Sequence, residues 1–152
     1  MEVKNILAVK GTSVFYAKPD SPISEAIELM HKKRIGSVLV MENEKGPVLG
    51  MLTERDIIHI VAEKGCMALQ VTVADVMIQD VVACSSDCTL NSIISGMTKY
   101  NVRHLPVYED DRLLGMISAR DVMHFRIKHL ESAQEPRFHR WFAKGRVYLL
   151  NK

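Results

Sequence analysis

The chain repeats itself, and the repeat limits what it can fold into. Gly50-Met51-Leu52-Thr53-Glu54-Arg55-Asp56-Ile57-Ile58-His59 returns as Gly115-Met116-Ile117-Ser118-Ala119-Arg120-Asp121-Val122-Met123-His124. Upstream, Asp20-Ser21-Pro22-Ile23 matches Asp87-Cys88-Thr89-Leu90, and the run Ile35–Val40 matches Val102–Val107. The copies stand 67 residues apart at Asp20 and Asp87 but 65 apart at Asp56 and Asp121. The two lost residues fall where Glu44-Lys45-Gly46 faces Asp110-Asp111. Deletions are tolerated in turns, because a turn carries no packed face. A repeat that keeps both its apolar pattern and its polar motif implies two copies of one unit, packed by pseudo-symmetry.

Within 152 residues, 47% of them hydrophobic and with mean hydropathy near zero, one compact module with a sizeable core is expected. Cys66, Cys84 and Cys88 are too few, and odd in number, for a disulfide framework, which fits a reducing cytoplasm. Cys84 and Cys88 lack the second pair that a zinc site needs. No apolar run has the length of a membrane span, and the first residues lack a signal-peptide core. The segment Pro136–Lys152 carries five cations and no acid, so the rest of this chain of net charge +2 stands at −3.

Each copy reads as strand, helix, strand, strand, helix, an α+β arrangement of two β-α-β-β-α units. Val14–Ala17 and Val81–Cys84 are short β-prone segments followed by polar turns. Ile23, Ala26, Ile27 and Met30 then fall on one helical face, as do Leu90, Ile93, Ile94 and Met97. Ser37–Met41 with Val48–Leu52, and Leu105–Tyr108 with Leu113–Ile117, read as hairpins. Pro106 inside such a run suggests a strand start or an edge. The last helices start near Glu54 and Ala119. Val3–Leu7 and Val73–Met77 resemble each other and read as one-turn helices leading into the first strand of their own unit. The divisions are 3–64, 73–130 and a basic, aromatic extension over 131–152. Glu63–Thr72 is the linker, with Gly65 as a helix stop.

Thr53-x-x-Asp56 and Ser118-x-x-Asp121 sit where a strand feeds a helix. A hydroxyl followed three residues later by an acid is close to a capping box, which satisfies free N–H groups at a helix start. The same geometry suits a nucleotide. A helix start with a hydroxyl offers donors and a favourable field to phosphate, and a carboxylate beside it accepts from ribose hydroxyls. Arg55 and Arg120 add planar cations fitted to phosphate oxygens. Hydroxyl, arginine and acid together, in both copies, exceed what a cap requires.

These residues carry a resemblance. From Val3 to about Leu130 the chain resembles a tandem pair of cystathionine β-synthase (CBS) domains, a Bateman module, of the small stand-alone bacterial kind. The resemblance rests on the G-h-h-[ST]-x-x-D ending of each copy and on Arg103-His104-Leu105-Pro106-Val107. It implies a homodimer forming a four-repeat disc, and clefts for regulatory adenosine-containing ligands: AMP, ADP, ATP, NAD(H) or S-adenosylmethionine. It implies no obligatory cofactor and no catalysis, with signalling to a regulated protein that the sequence does not name.

By the same resemblance, each cleft joins the motif of one repeat to the strand starts of the other. Thr53, Arg55 and Asp56 would face Asp80–Val82, including Val82, and Arg103. Ser118, Arg120 and Asp121 would face Lys10–Phe15, including Thr12 and Phe15, together with Gly36 and Ser37. Asp56 and Asp121 would hold ribose hydroxyls, and Thr53 and Ser118 the ribose or phosphate. His104 falls where some relatives place a phosphate-binding arginine. The first copy has Gly36-Ser37 where the second has Arg103-His104, so one ligand per chain is as consistent as two.

His59 and His124 each follow the motif acid by three residues, which reads as a solvated or interface-facing helix position. His31, His129 and His139 show no ligand spacing, and no nucleophile-and-base pattern or P-loop is present. Arg137-Phe138-His139-Arg140-Trp141-Phe142 interleaves aromatics with cations, which suits single-stranded nucleic acid or an anionic membrane surface. An extra element docking on this chain or a second copy is the preferred reading, because five cations without a folded groove are a weak signal.

Overall fold

The computed structural model describes residues 1–133. The basic, aromatic segment expected to form the extension lies outside them. In chain order the elements are α1 (Val3–Lys10), β1 (Tyr16–Ala17), α2 (Ile23–Lys33), β2 (Ser37–Val40), β3 (Gly50–Thr53) and α3 (Glu54–Lys64). A 3-10 helix over Gly65–Gln70 follows. Then come α4 (Val73–Val76), β4 (Cys84–Ser85), α5 (Leu90–Lys99), β5 (His104–Glu109), β6 (Arg112–Ser118) and α6 (Ala119–Ala133).

The strands make two sheets of the same design, ordered β1-β2-β3 and β4-β5-β6. In each, the first pair is parallel and the second is the expected antiparallel hairpin. The hairpins differ at their tips. Asp110 and Asp111 both take positive φ, 45° and 60°, and close β5 onto β6 in a tight two-residue turn. The first repeat spans the same gap with the longer stretch from Met41 to Leu49, which accounts for the two-residue offset.

Pro106 lies in the middle strand of its sheet, not at a start or edge, and the structure shows how it is accommodated. Its repeat mate, Leu39, donates its N–H to the Phe15 carbonyl at 3.1 Å. Proline has no such donor. Pairing of β4 therefore begins at Cys84↔Val107, the counterpart of Ala17↔Val40, and omits the counterpart of Tyr16↔Leu39. One missing N–H thus shifts the second parallel strand by a residue.

The lead-in helices do not serve their own repeats. Helix α1, which runs two turns where one was expected, packs on the second repeat. Val3, Ile6 and Leu7 share a core with Leu90, Ile93, Met97, Leu105, Val107, Ile117 and Val122. Its first turn is fixed there by Val3 N–H to the Cys88 carbonyl (3.0 Å) and Lys4 N–H to the Ser86 carbonyl (2.8 Å). Helix α4 does the reverse. Val73 joins Ile23, Ala26, Met30, Val38, Val40 and Leu52, and its N–H donates to the Ser21 carbonyl at 2.8 Å. Each repeat is completed by the segment that precedes the other. A third cluster, Leu39, Met41 and Met51 with Val14, Tyr16, Val81, Leu113 and Met116 beside them, joins the two sheets. The linker is also structured: Ala68 in the 3-10 helix is fully buried in the first core.

The exchange explains the glycine of each motif. A Cβ on Gly50 would stand 2.6 Å from Met77 Sδ and 2.8 Å from the Ile78 carbonyl oxygen. That segment, just past α4, pairs with β3 through two Met51–Ile78 backbone bonds of 2.9 and 2.8 Å. At Gly115 the close neighbour is instead Leu7 Cδ2, at 3.1 Å.

Candidate functional site

Both motifs act as helix caps. Thr53 is the N-cap of α3, and Asp56 Oδ2 accepts from the Thr53 N–H (2.8 Å) and from its hydroxyl (2.5 Å). Ser118 and Asp121 repeat this at α6, with bonds of 2.8 and 2.7 Å to Asp121 Oδ2. In each pair the hydroxyl oxygen also accepts from the acid's own N–H. The caps account for one oxygen of each carboxylate. Among the described residues, Oδ1 of Asp56 and Oδ1 of Asp121 carry no hydrogen bond, and so remain for a guest.

A cleft of about 110 Å³ opens beside the first motif. Thr53, Glu54, Arg55 and Asp56 line one side, Val102, Arg103 and His104 the other, with Gly36 between them. Among the described residues, neither Arg55 nor Arg103 has an ion pair or hydrogen bond. Two unengaged guanidiniums and a carboxylate with a free oxygen in the lining of one cleft can bind a sugar hydroxyl and an anionic group together.

The second motif is set differently. The ammonium of Lys10 donates to Asp121 Oδ2 at 2.6 Å and to the Met116 carbonyl at 2.9 Å. Burial alone would raise the Asp121 carboxyl, but the hydrogen bond from Lys10, followed by those from Ser118, outweighs it and holds the group below its ordinary value.

His104 stands between the two motifs. It lines the first cleft, and its charged surroundings are Glu54 on α3, Lys10 on α1, Asp121 on α6 and its neighbour Arg103. Burial is the largest influence and pushes its pKa below 6.5. A histidine so depressed favours the folded state while it is neutral. Its contribution is complete above pH 6.5 and is lost as pH falls toward the folded value. The melting temperature of His104→Gln is therefore expected to fall less than that of the wild type between pH 7 and pH 5, as read by thermal denaturation at each pH. Equal slopes would contradict this.

The structure brings Thr53, Arg55, Asp56 and Arg103 together in one cleft, as expected, and sets His104 beside them. It does not keep the expected partition of Gly36. That residue lines the first cleft, because β2–β3 pairing sets Ser37 opposite Thr53 and the Glu54 N–H bonds the Gly36 carbonyl at 3.0 Å. Ser37 itself is buried, at 5% exposure. Val82 is half-buried against the second core and does not line the first cleft. Phe15 packs on the first core with Lys33 5.2 Å from its ring centre. Thr12 is exposed, its Cα 3.5 Å from a Cβ position on Gly115, and Arg120 is exposed on α6. Glu54 escaped the sequence reading: it replaces Ala119 of the other copy, and its carboxyl lies 3.3 Å from where a Gly36 side chain would begin. Lys10, at the start of the stretch expected to face the second motif, lies on Asp121.

The family model described as the CBS domain matches residues 3–63 and 73–128. The chain belongs to the CBS-domain family. This CBS-domain pair resembles the crystal structure of the CBS-domain containing protein ATU1752 from Agrobacterium tumefaciens, at 40% identity and a TM-score of 0.79, covering 82% of this chain and 92% of that one. The CBS domain pair of protein MJ0100 shares the fold at 24% identity and a TM-score of 0.73, covering 85% of this chain and 98% of the other. An uncharacterised protein of Methanopyrus kandleri is 33% identical over 107 residues, 68% of this chain but only 54% of that protein. Among the described residues, no helix of this CBS pair is long and apolar enough to cross a membrane.

Proposed function

We propose that this CBS pair is a non-catalytic regulatory module that binds an adenosine-containing ligand at the first cleft: AMP, ADP, ATP, NAD(H) or S-adenosylmethionine. One observation carries the reading. Asp56 keeps a free carboxylate oxygen beside the unengaged guanidiniums of Arg55 and Arg103. Asp56 Oδ1 would accept from the ribose hydroxyls, and Arg55 with Arg103 would take the anionic end. The pair of protein MJ0100, which shares the fold, was crystallised in complex with 5′-methylthioadenosine and S-adenosylmethionine, which supports the ligand class.

The ligand spans both repeats, so it would favour one relative arrangement of them and pass that preference to a regulated protein. It can shift the equilibrium only by its difference in affinity for the two arrangements. We read the working form as a cytoplasmic homodimer. Ile58 on α3 and its repeat mate Met123 on α6 are 67% and 61% exposed, equivalent apolar positions that a symmetric partner would cover.

The rival reading, a structural module whose motifs are only caps, draws on the mutual satisfaction of Thr53 and Asp56. Isothermal titration with AMP separates the two. Asp56→Ala should weaken binding at the first cleft by tenfold or more, and Asp56→Ala with Asp121→Ala should abolish binding. Loss of the cap costs about 0.5–2 kcal/mol, so the melting curve of each unliganded variant checks that it remains folded. Undiminished affinity in the double variant would refute the site.

A further inference from the structure

The first cleft is lined by more than its charged groups. Met51, Ile78 and Val102 add three apolar side chains, and Asn101, which precedes Val102 in the chain, adds a carboxamide. The reading above gives the ribose to Asp56 and the anionic end to Arg55 and Arg103. That leaves an apolar stretch of lining with a planar donor and acceptor adjoining it. A purine base matches it in kind, with apolar faces and an edge of donors and acceptors.

Asn101 sits in the turn between α5 and β5 at φ 51°, in the left-handed region, and its backbone N–H donates to the Thr98 carbonyl at 3.3 Å. Asparagine is common at such positions, where its short polar side chain can bond locally. Two observations show that the turn does not account for it. The repeat mate Arg34 takes φ 54° between α2 and β2, with its N–H on the His31 carbonyl at 3.2 Å, so the turn forms without asparagine. And among the described residues the Asn101 carboxamide makes no hydrogen bond. Its donor and acceptor are both unspent, in the lining of a cleft.

We infer that Asn101 is the residue that selects the base at the first cleft. Its carboxamide oxygen accepts from the 6-amino group of adenine, and its N–H donates to the ring nitrogen beside that group. The inference rests on the reading above, in which Asp56 holds the ribose. A carboxamide pairs in this way with adenine because the base sets a donor next to an acceptor on one edge. A purine with no amino group at that position leaves the carboxamide oxygen without its partner. Asn101 is exposed, so its bonds to the base replace bonds to water. The preference is therefore that of one net hydrogen bond, about three- to tenfold in affinity.

The test is isothermal titration of the whole chain with AMP and with purine riboside 5′-monophosphate, which is AMP without the 6-amino group. Asp121→Ala serves as the parent, so that the first motif alone is read, and its melting curve checks that it is folded. The parent should bind AMP about three- to tenfold more tightly than the deaminated compound. Asn101→Gly keeps a residue suited to the left-handed turn and removes the carboxamide, and the two compounds should then bind equally. Asn101→Asp keeps an acceptor for the 6-amino group and should keep the preference. Arg34→Gly, the same change in the other turn, should leave the ratio as it was. Equal binding by the parent, or a preference that survives Asn101→Gly, would overturn the role of Asn101 and leave the reading of the ribose and anion sites standing. If Asn101→Gly binds neither compound, Asn101→Asp decides, and loss of the preference there would overturn the role. A parent and a wild type that bind neither compound would overturn both readings.

Discussion

Ile6→Ala is expected to destabilise the protein by about 2–5 kcal/mol, the range for truncating a buried isoleucine to alanine. Ile6 is 2% exposed, so little of its side chain has water to fall back on. The cavity would open among Leu90, Ile93, Leu105 and Ile117, residues of the second repeat. Val9→Ala on the same helix is the control. Val9 is 73% exposed, and its truncation should stay within about 0.5 kcal/mol. Urea denaturation of both variants gives the comparison. An Ile6→Ala cost below about 1 kcal/mol would mean that α1 is dispensable to the second core, and the exchange of lead-in helices would lose its energetic meaning.

Gly50→Ala should be the more damaging of the two motif-glycine substitutions. A strand glycine replaced by alanine ordinarily gains about 0.5–1 kcal/mol, because the unfolded chain loses freedom. Here the new methyl would meet the Ile78 carbonyl at 2.8 Å as well as Met77 Sδ at 2.6 Å, and Ile78, whose carbonyl accepts from the Met51 N–H while its own N–H donates to the Met51 carbonyl, cannot step aside. Overpacking of that kind costs about 1–3 kcal/mol. Met51 and Ile78 both line the first cleft, so ligand affinity should fall along with stability. Gly115→Ala meets the end of the Leu7 side chain at 3.1 Å and the Thr12 Cα at an ordinary 3.5 Å, and should change stability by less than about 1 kcal/mol. Thermal denaturation of the two variants tests the order. A Gly115→Ala cost equal to that of Gly50→Ala would contradict it.

Much of the fold was legible because the repeat states it twice. Paired β-prone runs joined by acidic or glycine-containing turns gave both hairpins, and the faces of Ile23–Met30 and Leu90–Met97 gave the helices that cover them. Partnership was not legible. Val3–Leu7 and Val73–Met77 show the same amphipathic pattern, and such a pattern says that a face is buried without saying in which core. Either helix fits either repeat locally, and only the chain's path to the Met51–Ile78 and Val3–Cys88 pairings selects the exchanged one.

The same limit applies to the site. The hydroxyl-arginine-acid motif was readable because local spacing alone sets Thr53 against Asp56. That Gly36 lines the first cleft was not readable, because its position follows from strand register with Thr53, a relation between segments. His104 was readable as a cleft residue, but its position between Glu54, Lys10 and Asp121 depends on three helices meeting, which no single segment encodes.

The most direct test of the account is a thermal-shift series on the wild-type chain with AMP, ADP, ATP, NAD⁺, NADH and S-adenosylmethionine at millimolar concentration. A ligand present at a hundredfold over its Kd adds about 2.7 kcal/mol to stability. A nucleotide-binding module gives a clear rise in melting temperature with at least one of them, and that rise is lost in the variant carrying both Asp56→Ala and Asp121→Ala. An unchanged melting temperature with all six would contradict this function and leave the motifs as helix caps.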